Sequence, residues 1–301
     1  MFLIVTVCVV CARAAVAKTG RAATAVAEGN DWRHFPVDVF QTGSGTSTNM
    51  NMNEVIANLV NGKTGFTCHP NDHVNLSQSS NDVIPTAIHV SVALAIHQKL
   101  FTALDAMDQA LCLKQKEVGE VIKTGRTHLM DALPMSVAQE MSGWNAQFNY
   151  AKARLQGSLK RVYELAQGGT AIGTGVNAPA GFAQRFTQIL SERVGLPFCV
   201  APNHFEKISA QDTSVEVSGQ LKVLACSLMK VSNDLRWMNS GPLCGLAEIE
   251  LEALQPGSSI MPGKVNPVVP EATAQIAAQV IGNDSAITVA GQSGNFQLNV
   301  M

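Results

Sequence analysis

The 301-residue sequence predicts a mostly α-helical protein, built as a bundle of long helices. Three stretches repeat apolar residues at steps of three or four, the spacing that places side chains on one face of a helix. Each stretch runs for about 25–35 residues, longer than the usual helix of a globular protein. Neither an internal repeat nor a series of β-hairpins is evident in the sequence.

A polar region precedes the first long stretch. The segment from Asp31 to Asn53 is rich in Gly, Ser, Thr and Asn, which predicts a loop region that leads into a helix near Glu54. Asn81-Asp82 are residues of the type that start helices, so we expect the first long helix to begin there. Its apolar positions are Ile88, Val92, Ile96, Leu100, Leu104, Met107 and Leu111.

The second and third long stretches also carry helix start and stop signals. Asp131 is the expected start of the second stretch and Gly168-Gly169 its expected end, while Gly241-Pro242 end the third. The apolar positions of the second stretch are Val137, Met141, Trp144, Phe148, Leu155, Leu159 and Val162. Those of the third stretch are Leu221, Leu224, Leu228, Val231, Leu235 and Met238.

Length and periodicity together predict the domain organisation. A chain of 301 residues can hold one large or two ordinary domains. We interpret residues 1–82 as a partial N-terminal domain that carries polar loops. We interpret residues 83–301, which contain the three long stretches, as a central long-helix bundle domain.

The composition favours a cytoplasmic protein with a large core. Hydrophobic residues make up 46% of the chain and charged residues 15%. The net charge of −2 lacks the basic surplus that is typical of nucleic-acid-binding proteins, so no nucleic-acid partner is expected. The seven cysteines are scattered, and only Cys8 and Cys11 have redox-motif spacing. We therefore expect buried, reduced thiols of a cytosolic protein.

The N-terminal residues 1–12 form an apolar run. No positive charge precedes this run, as a secretory signal would require, and it is short for a membrane span. We interpret it as a buried helix in a chain whose true start lies upstream. No other segment is expected to cross a membrane, so no membrane partner is predicted.

Polar side chains collect where the long stretches stop. The first cluster runs from Gly43 to Asn49 and offers hydroxyls, amides and backbone N–H groups that suit a carboxylate or phosphate. It lacks the Gly-Lys-Ser/Thr of a P-loop, and a capping turn would explain it equally well. The second cluster runs from His69 to Asp82, and its last hydroxyls precede a long helix. The positive end of the helix dipole favours an anion there, although Ser79 could be only a helix cap.

Two further clusters complete the polar set. In the third, His128 follows Thr127 and could act as a general acid or base, or could be structural. The fourth is the segment Gly257–Pro267, bounded by glycine and proline and followed by Glu271. Such a loop can close over a ligand, although a solvated turn is the alternative interpretation. None of the clusters has the spacing of a metal site, and no metal or other cofactor is predicted.

In this order and at these separations, the four clusters resemble the fumarase/aspartase superfamily, whose signature loop is similar to Gly257–Pro267. The similarity extends from about Ala23 to the last residue. Four positions resemble class II fumarases more than aspartases: His69, Ser80, His128 and Gly263. The predicted fold is therefore a long-helix bundle of the fumarase/aspartase (L-aspartase-like) type.

The resemblance implies a cofactor-free, reversible hydration of fumarate to (S)-malate, a step of the tricarboxylic acid cycle. It assigns Ser258 as the base, and His128, supported by Glu271, as the acid for the leaving hydroxyl. The residues that it assigns to the dicarboxylate substrate are Ser44, Gly45, Thr46, Ser79, Ser80, Asn81, Thr127, Ser259, Lys264, Val265 and Asn266. A second, non-catalytic dicarboxylate site matches His69, Pro70, Asn71 and Asp72.

The resemblance also implies a homotetramer in which three chains build each site, so that a monomer would be inactive. Two departures from the family accompany this expectation. The chain is short for the family, which predicts a fragment that lacks both termini: it begins inside the first domain, and the last bundle helix and the small C-terminal domain are missing. Phe66 stands about where a basic residue often precedes His-Pro-Asn-Asp, which puts the second dicarboxylate site in doubt.

Two rival functions remain open from the sequence. The first is an aspartate ammonia-lyase of the same superfamily. The second is a catalytically silent helical assembly protein, against which the joint presence of Ser258, His128, Lys264 and Asn266 argues.

Overall fold

The structure is a computed structural model that describes residues 16–29, 32–64 and 67–301. Within these ranges it contains nine α-helices, which confirms the prediction of a mostly α-helical fold. The helices are α1 (Val16–Ala27), α2 (Thr46–Thr64), α3 (Ser80–Ala95), α4 (Phe101–Val118), α5 (Val137–Val162), α6 (Phe182–Val194), α7 (His204–Ser209), α8 (Asp212–Met238) and α9 (Val268–Gln292). The predicted helix of residues 1–12, with Cys8 and Cys11, lies outside the described residues, as does Phe66.

The apolar stripes fall on the helices that they predict. The first stripe covers α3, a π-helical turn at Ile96–Leu100 and α4, the second is α5, and the third is α8. Helix α9 follows the Gly257–Pro267 loop and carries Glu271 in its first turn.

Four short strands add to the helices within the described ranges. Strands β1 (Ile122–Thr127) and β2 (Met130–Ser136) form an antiparallel hairpin, in which Thr127 lies opposite Met130. Strands β3 (Glu164–Leu165) and β4 (Cys199–Val200) pair in parallel. The sequence analysis did not predict the hairpin, because β1 has little apolar alternation and the turn lacks an Asn-Gly or Asp-Gly pair.

Two predicted helix starts near the first clusters are wrong. Helix α2 begins at Thr46 rather than near Glu54, so the second half of the polar segment is helical. Helix α3 begins at Ser80 rather than at Asn81, and its cap is Ser79, which confirms the alternative interpretation of that serine as a helix cap. The reason is a capping box: the Ser79 side chain accepts the backbone N–H of Asp82, and the Asp82 side chain accepts the backbone N–H of Ser79.

The predicted limits of the second long helix are also wrong. Asp131 lies in β2, and Ser136 takes the capping role instead, since its Oγ accepts the N–H of Gln139 at 3.1 Å. Helix α5 ends at Val162, before Gly168, because the chain leaves it to form β3.

The chain divides into two compact units. Unit 1 contains Met1–His97, Ser158–Val215 and Thr288–Met301, and unit 2 contains Gln98–Gly157 and Glu216–Ile287. These units cut across the predicted boundary at residue 82, and the predicted domain division stays a prediction.

The core of unit 1 begins with the packing of α1 against α2. Its buried members in this region are Ala23, Val26, Met52, Val55, Ile56, Ala57, Val60, Cys68 and Val74. Helix α3 is held to β3 by His89, whose Nδ1 lies 3.1 Å from the Val162 carbonyl and 3.0 Å from the Glu164 carbonyl. Burial lowers the pKa of His89 to about 4, so the ring is neutral and Nδ1 carries its proton.

Unit 2 combines buried aromatic residues with polar ties between helices. Trp144 and Phe148 of α5 are buried, and the Lys230 Nζ of α8 lies 5.9 Å from the centre of the Trp144 ring. Asp284 of α9 accepts hydrogen bonds from Ser218 at 2.8 Å and Lys222 at 2.6 Å, both on α8. These bonds join α8 to α9.

One stretch within the described residues, Ser80–Val118, has the length and apolar character of a membrane-crossing helix. A core helix passes the same test, and the α3 part of this stretch buries Val83, Ala87, Val90 and Ala93. The predicted lack of a membrane partner stays a prediction.

The described cysteines are free thiols, but the prediction that they are buried is wrong for most of them. Cys68 is buried and Cys112 is half-buried, whereas Cys199, Cys226 and Cys244 are exposed. Cys199 lies in β4, Cys226 in α8 and Cys244 in the segment after α8, and an apolar count of the sequence does not distinguish such exposed positions from buried ones.

Candidate functional site

The first cluster forms a tight turn that leads into α2. Gly43–Gly45 is a single 3₁₀ turn, in which Ser44 has a φ of 60°. The Oγ of Ser44 lies 3.2 Å from Oγ1 of Thr46, the first residue of α2. A Cβ on Gly45 would lie 3.0 Å from Cδ1 of Ile84, so only glycine lets this turn pack so closely on α3.

The second cluster occupies the N-terminus of α3. The Oγ of Ser79 accepts the N–H of Asn81 at 3.2 Å, and Oδ1 of Asp82 accepts the N–H of Ser79 at 2.9 Å. The other oxygen of Asp82 accepts the N–H groups of Gly168 at 3.0 Å and Thr170 at 2.8 Å. This carboxylate therefore ties the start of α3 to the glycine-rich segment after β3.

Asp82 is fully buried, with no exposed surface. Burial raises the pKa of its carboxyl from 3.8 to about 6, although the N–H donors of Ser79, Thr170 and Gly168 act in the opposite direction. Its neighbour Asn81 adds a further tie, because its side-chain amide donates to the Ala171 carbonyl at 2.7 Å. The sequence analysis named Asp82 only as a helix start, although Ser79-x-x-Asp82 has capping-box spacing.

A buried amide connects the first two clusters. Nδ2 of Asn49, in the first turn of α2, lies 3.1 Å from Oγ of Ser80. The same Nδ2 lies 3.3 Å from Oδ1 of Asn75. Ser44, Thr46 and Ser80 are thus parts of one hydrogen-bonded and packed region of unit 1. The sequence carries no signal for the Asn49 contact, since it joins residues far apart in the chain.

The proposed second dicarboxylate site forms a π-helical turn at Pro70–Val74. Nδ1 of His69 lies 3.2 Å from both the backbone N and Oδ2 of Asp72. The backbone N–H of His69 donates to Nδ1 of His73 at 2.8 Å. His69, Asn71 and Asp72 are exposed and Pro70 is half-buried.

The third cluster forms the turn of the β1–β2 hairpin. His128 and Leu129 have φ values of 57° and 63°, which is the backbone of a two-residue hairpin turn with both central residues left-handed. Thr127 and His128 are exposed at the tip. The hairpin therefore presents the imidazole at a turn, rather than before a helix as the sequence predicted.

Charged side chains anchor the base of this hairpin. Nζ of Lys123 lies 2.6 Å from Glu140 and 3.2 Å from Glu248, and its side chain is only 6% exposed. Nη1 of Arg126, the residue before Thr127, lies 2.8 Å from Glu248. Because these groups are largely buried and share partners, they fix the strand that carries Thr127 more firmly than isolated surface pairs would. The sequence analysis did not single out Glu140 or Glu248.

The fourth cluster is a loop that is closed at its neck. The N–H of Gly257 donates to the Lys264 carbonyl at 2.8 Å, and Nδ2 of Asn266 donates to the Gly257 carbonyl at 3.1 Å. The side chains of Ser259, Lys264 and Val265 are exposed, while Ser258 and Asn266 are half-buried. Asn266, assigned to the substrate by resemblance, here uses its amide to hold the loop.

Ser258 has a distinctive hydrogen-bond pattern within this loop. Its Oγ accepts the backbone N–H groups of Ile260 at 3.3 Å and Met261 at 3.2 Å. Glu271 lies in the first turn of α9 and is half-buried. Within the described part of the chain, no hydrogen bond or ion pair joins His128 to Ser258, Lys264 or Glu271.

The predicted site residues thus divide between the units. Unit 1 holds Ser44 to Thr46, His69 to Asp72 and Ser79 to Asn81. Unit 2 holds the others, which are Thr127, His128, Ser258, Ser259, Lys264, Val265, Asn266 and Glu271. Among the described residues, no group of three or more His, Cys, Asp or Glu side chains is arranged to hold a metal ion.

Comparisons with known proteins assign the chain to a family. A family model described as "Lyase" matches residues 6–282. The chain is 61% identical over 269 residues to "Fumarate hydratase class II 2" of Pseudomonas aeruginosa, covering 89% of this chain and 59% of that protein. It is 51% identical over 286 residues to "Fumarate hydratase, mitochondrial" of Homo sapiens, covering 93% of this chain and 56% of that protein.

The solved structures agree with these relatives. The crystal structure of class II fumarase from Schistosoma mansoni matches with a TM-score of 0.93 and 38% identity, covering 99% of this chain and 68% of that one. The chain spans a little under three-fifths of the length of the curated relatives, 59% for the Pseudomonas protein. The resemblance to the fumarase/aspartase superfamily and its class II fumarases is confirmed, and the chain belongs to the Lyase family.

Proposed function

We propose that the protein to which this chain belongs catalyses the reversible hydration of fumarate to (S)-malate. The identity of 61% to a protein named as a class II fumarate hydratase supports this proposal. The observation that carries it is the geometry of Ser258, whose Oγ accepts two backbone N–H groups. This serine lies in the Gly257–Pro267 loop, which resembles the signature loop of the superfamily. These donors suit an oxygen that must hold negative charge.

The proton at C3 of malate is weakly acidic, so the base must be strong and the carbanion must be stabilised. An ordinary serine hydroxyl does not ionise near neutral pH. The N–H groups of Ile260 and Met261 point at Oγ of Ser258 and would stabilise an alkoxide there. Ser258 is therefore the proposed base.

The elimination of water from malate then proceeds in two steps. The Ser258 alkoxide takes the C3 proton, and the electron pair of the C–H bond moves onto the adjacent carboxylate as a dianionic aci-carboxylate. That pair then forms the C2–C3 double bond while the C2–O bond breaks. The hydroxide takes a proton from the acid that His128 supplies, with Glu271 as the proposed support, and leaves as water.

Substrate carboxylates need donors at both ends. The N-terminus of α3 offers the hydroxyls of Ser79 and Ser80 at the positive end of a 16-residue helix. Ser44 and Thr46 belong to the same part of unit 1, and Thr127, Ser259, Lys264 and Asn266 are the proposed donors of unit 2. The exposed ammonium of Lys264 supplies the charge that a dicarboxylate requires.

We further propose a homotetramer, in which clusters from neighbouring chains build each site. Large apolar side chains exposed on long helices support this proposal, because an interface between copies would cover them. They include Tyr150, Trp237, Val269, Ile276 and Ile287. A cytoplasmic location and a second dicarboxylate site at His69–Asp72 are further parts of the proposal.

The activity test follows fumarate formation by its ultraviolet absorbance after (S)-malate is added to the purified protein, with the oligomeric state measured in parallel. We expect turnover by a tetramer, and a loss of about 100- to 10,000-fold in kcat for Ser258→Ala and for His128→Asn. Ser285→Ala, which removes an exposed hydroxyl from α9, is the matched control and should keep full activity.

The outcomes separate the rival functions. Release of ammonia from aspartate, with malate unchanged, would identify an aspartate ammonia-lyase. No fumarate from a verified tetramer would indicate a silent assembly protein. Near-normal turnover by Ser258→Ala would remove the serine base, and the hydratase proposal would then depend on the measured turnover and on the identity to class II fumarate hydratases.

A further inference from the structure

Asn49 is a buried amide between the starts of α2 and α3. Its side chain has no exposed surface, and its Nδ2 reaches Ser80 Oγ at 3.1 Å and Asn75 Oδ1 at 3.3 Å. An amide nitrogen carries two hydrogens, so both contacts can be donated at once. The Oδ1 of Asn49, by contrast, has no hydrogen-bond partner within the described residues. A buried acceptor without a partner is destabilising, so any favourable contribution of the Asn49 side chain comes from the two hydrogen bonds that its Nδ2 donates.

The direction of these hydrogen bonds is fixed by a backbone carbonyl. Nδ2 of Asn75 lies 3.1 Å from the carbonyl oxygen of Gln78, which can only accept. The opposite atom of the Asn75 amide, Oδ1, therefore faces Asn49 and must accept from it. This fixes the amide of Asn49 with its nitrogen towards both Asn75 and Ser80, because the flipped amide would place two acceptors together.

The consequence reaches the hydroxyl of Ser80. Its oxygen accepts the hydrogen bond from Asn49, so the proton of the hydroxyl must point elsewhere. Within the described part of the chain, this proton has no acceptor, and Ser80 is only half-buried at the start of α3. A hydroxyl polarised in this way, at the positive end of a helix, is arranged to donate to an anion.

We propose that Asn49 is a positioning residue that makes the Ser80 hydroxyl a fixed hydrogen-bond donor to a substrate carboxylate. The inference rests on the proposed function, in which the start of α3 binds one end of the dicarboxylate. Asn49 touches no substrate and acts only through Ser80. Its effect should therefore appear in dicarboxylate binding rather than in the proton-transfer steps.

The chain offers a matched control for this proposal. Asn53 is equally buried, lies on the same helix and also donates to Oδ1 of Asn75, at 3.1 Å. Unlike Asn49, it makes no hydrogen bond to Ser80, and its Nδ2 also lies 3.8 Å from the sulfur of Met50. Asn49→Leu and Asn53→Leu thus remove the same donor group from the same amide cluster, and only the first releases Ser80.

The test measures succinate binding by calorimetry and (S)-malate turnover for the whole protein and both variants. Succinate carries two carboxylates but cannot be hydrated, so its Kd reports binding alone. We expect Asn49→Leu to raise the Kd for succinate and the KM for malate by about 3- to 10-fold, with a much smaller change in kcat, because the Ser80 hydroxyl remains but is no longer held as a donor. Asn53→Leu should leave both constants near those of the wild type.

A second comparison tests whether Asn49 acts through Ser80. In a Ser80→Ala background, Asn49→Leu should cause no further rise in Kd, since the hydroxyl that it positions is gone. Should the leucine variants not fold, Asn49→Ala and Asn53→Ala repeat the comparison with smaller side chains.

Each outcome has one meaning. A wild-type Kd for Asn49→Leu, an equal rise for Asn53→Leu, or an additive effect with Ser80→Ala overturns the inference. Wild-type protein that binds succinate without converting malate overturns the proposed hydratase, while the variants still decide the role of Asn49. Wild-type protein that neither binds succinate nor converts malate overturns both.

Discussion

The N-terminus of α3 and the Gly257–Pro267 loop carry the same kinds of side chain but are supported in opposite ways. At α3, Asp82 is fully buried and accepts the N–H groups of Ser79, Gly168 and Thr170. In the loop, the described hydrogen bonds join residues of the loop itself, at the neck and from the N–H groups of Ile260 and Met261 to Ser258. The start of α3 is thus tied to a distant segment of the chain, whereas the loop is held, within the described residues, only by local bonds and its tip is exposed.

This difference suggests a division of labour between binding and chemistry. A preformed anion site costs little reorganisation when a carboxylate binds. A loop with a fixed neck and an exposed tip can instead close over a ligand and exclude water. Substitutions at the start of α3 should therefore change the free energy of unfolding. Substitutions in the Gly257–Pro267 loop should change its susceptibility to proteolysis.

The largest expected effect comes from removing the carboxylate beneath α3. Asp82→Ala leaves three backbone N–H groups without their acceptor, and we expect a loss of about 3–5 kcal/mol in the free energy of unfolding. Urea denaturation measures this loss. Asp72→Ala is the control, since that side chain is 76% exposed, and its effect should stay within about 0.5 kcal/mol. Equal effects of the two changes would show that the α3 start is not braced by Asp82.

The pH dependence of stability distinguishes two buried carboxylates. Folding raises the pKa of Asp82 from 3.8 to about 6, so its contribution to stability is complete below 3.8 and is lost as the pH rises through about 6. The Lys222 hydrogen bond lowers the pKa of Asp284, so its contribution is present above its unfolded pKa and is lost as the pH falls through the folded one.

Unfolding free energies measured across this acidic range should therefore change in opposite directions. Asp82→Asn should remove a decline of at most about 3 kcal/mol with rising pH, and Asp284→Asn should remove a loss at low pH. A pH profile unchanged by either substitution would contradict the assignment for that residue.

The neck of the loop should be sensitive to a single added methyl group. A Cβ at position 257 would lie 2.6 Å from Oδ1 of Asn266, so Gly257→Ala should force the neck apart at a cost of about 1–3 kcal/mol. We expect faster proteolysis within the loop and a lower kcat/KM for malate. Gly263→Ala is the comparison, because its Cβ would meet no atom within 4 Å and only its φ of 79° opposes the change. Unaltered proteolysis of Gly257→Ala would argue against a closed neck.

The smallest predicted effect lies outside both regions and has the opposite sign. Gly282 is exposed within α9, and a Cβ there would meet no atom within 4 Å. Gly282→Ala should stabilise the chain by about 0.5–1 kcal/mol, because alanine loses less backbone entropy in a helix. The thermal midpoint should rise with no change in malate KM, and a fall would indicate that this helix face is covered by a partner.

Much of the helical architecture could be predicted from the sequence, because apolar periodicity is a local signal. The stripes that contain Leu104, Trp144 and Leu224 all fall on long helices. The helix limits were less predictable, since Ser79 and Ser136 compete as caps with nearby Asn81 and Asp131. Those competitions are decided by local hydrogen bonds, of Ser79 with Asp82 and of Ser136 with Gln139, which apolar periodicity does not contain.

The site residues show the same limit. The hydroxyls and the histidine stay predictions, which depend on residue type and order along the chain. The contacts of Asn49 with Ser80, and of Arg126 with Glu248, join positions 31 and 122 residues apart, and no local pattern predicts them. The hairpin beneath His128 was missed because its strand β1 is polar and its turn uses His-Leu rather than Asn-Gly.

The left-handed backbone at His128 restricts which residues can replace it. Histidine, asparagine and aspartate occupy such a φ more readily than other non-glycine residues, and β-branched residues occupy it poorly. A survey of substitutions at position 128 would therefore mix two penalties, one for lost chemistry and one for a distorted turn. Asparagine separates them, because it retains the turn while removing the imidazole, whereas valine would disturb both.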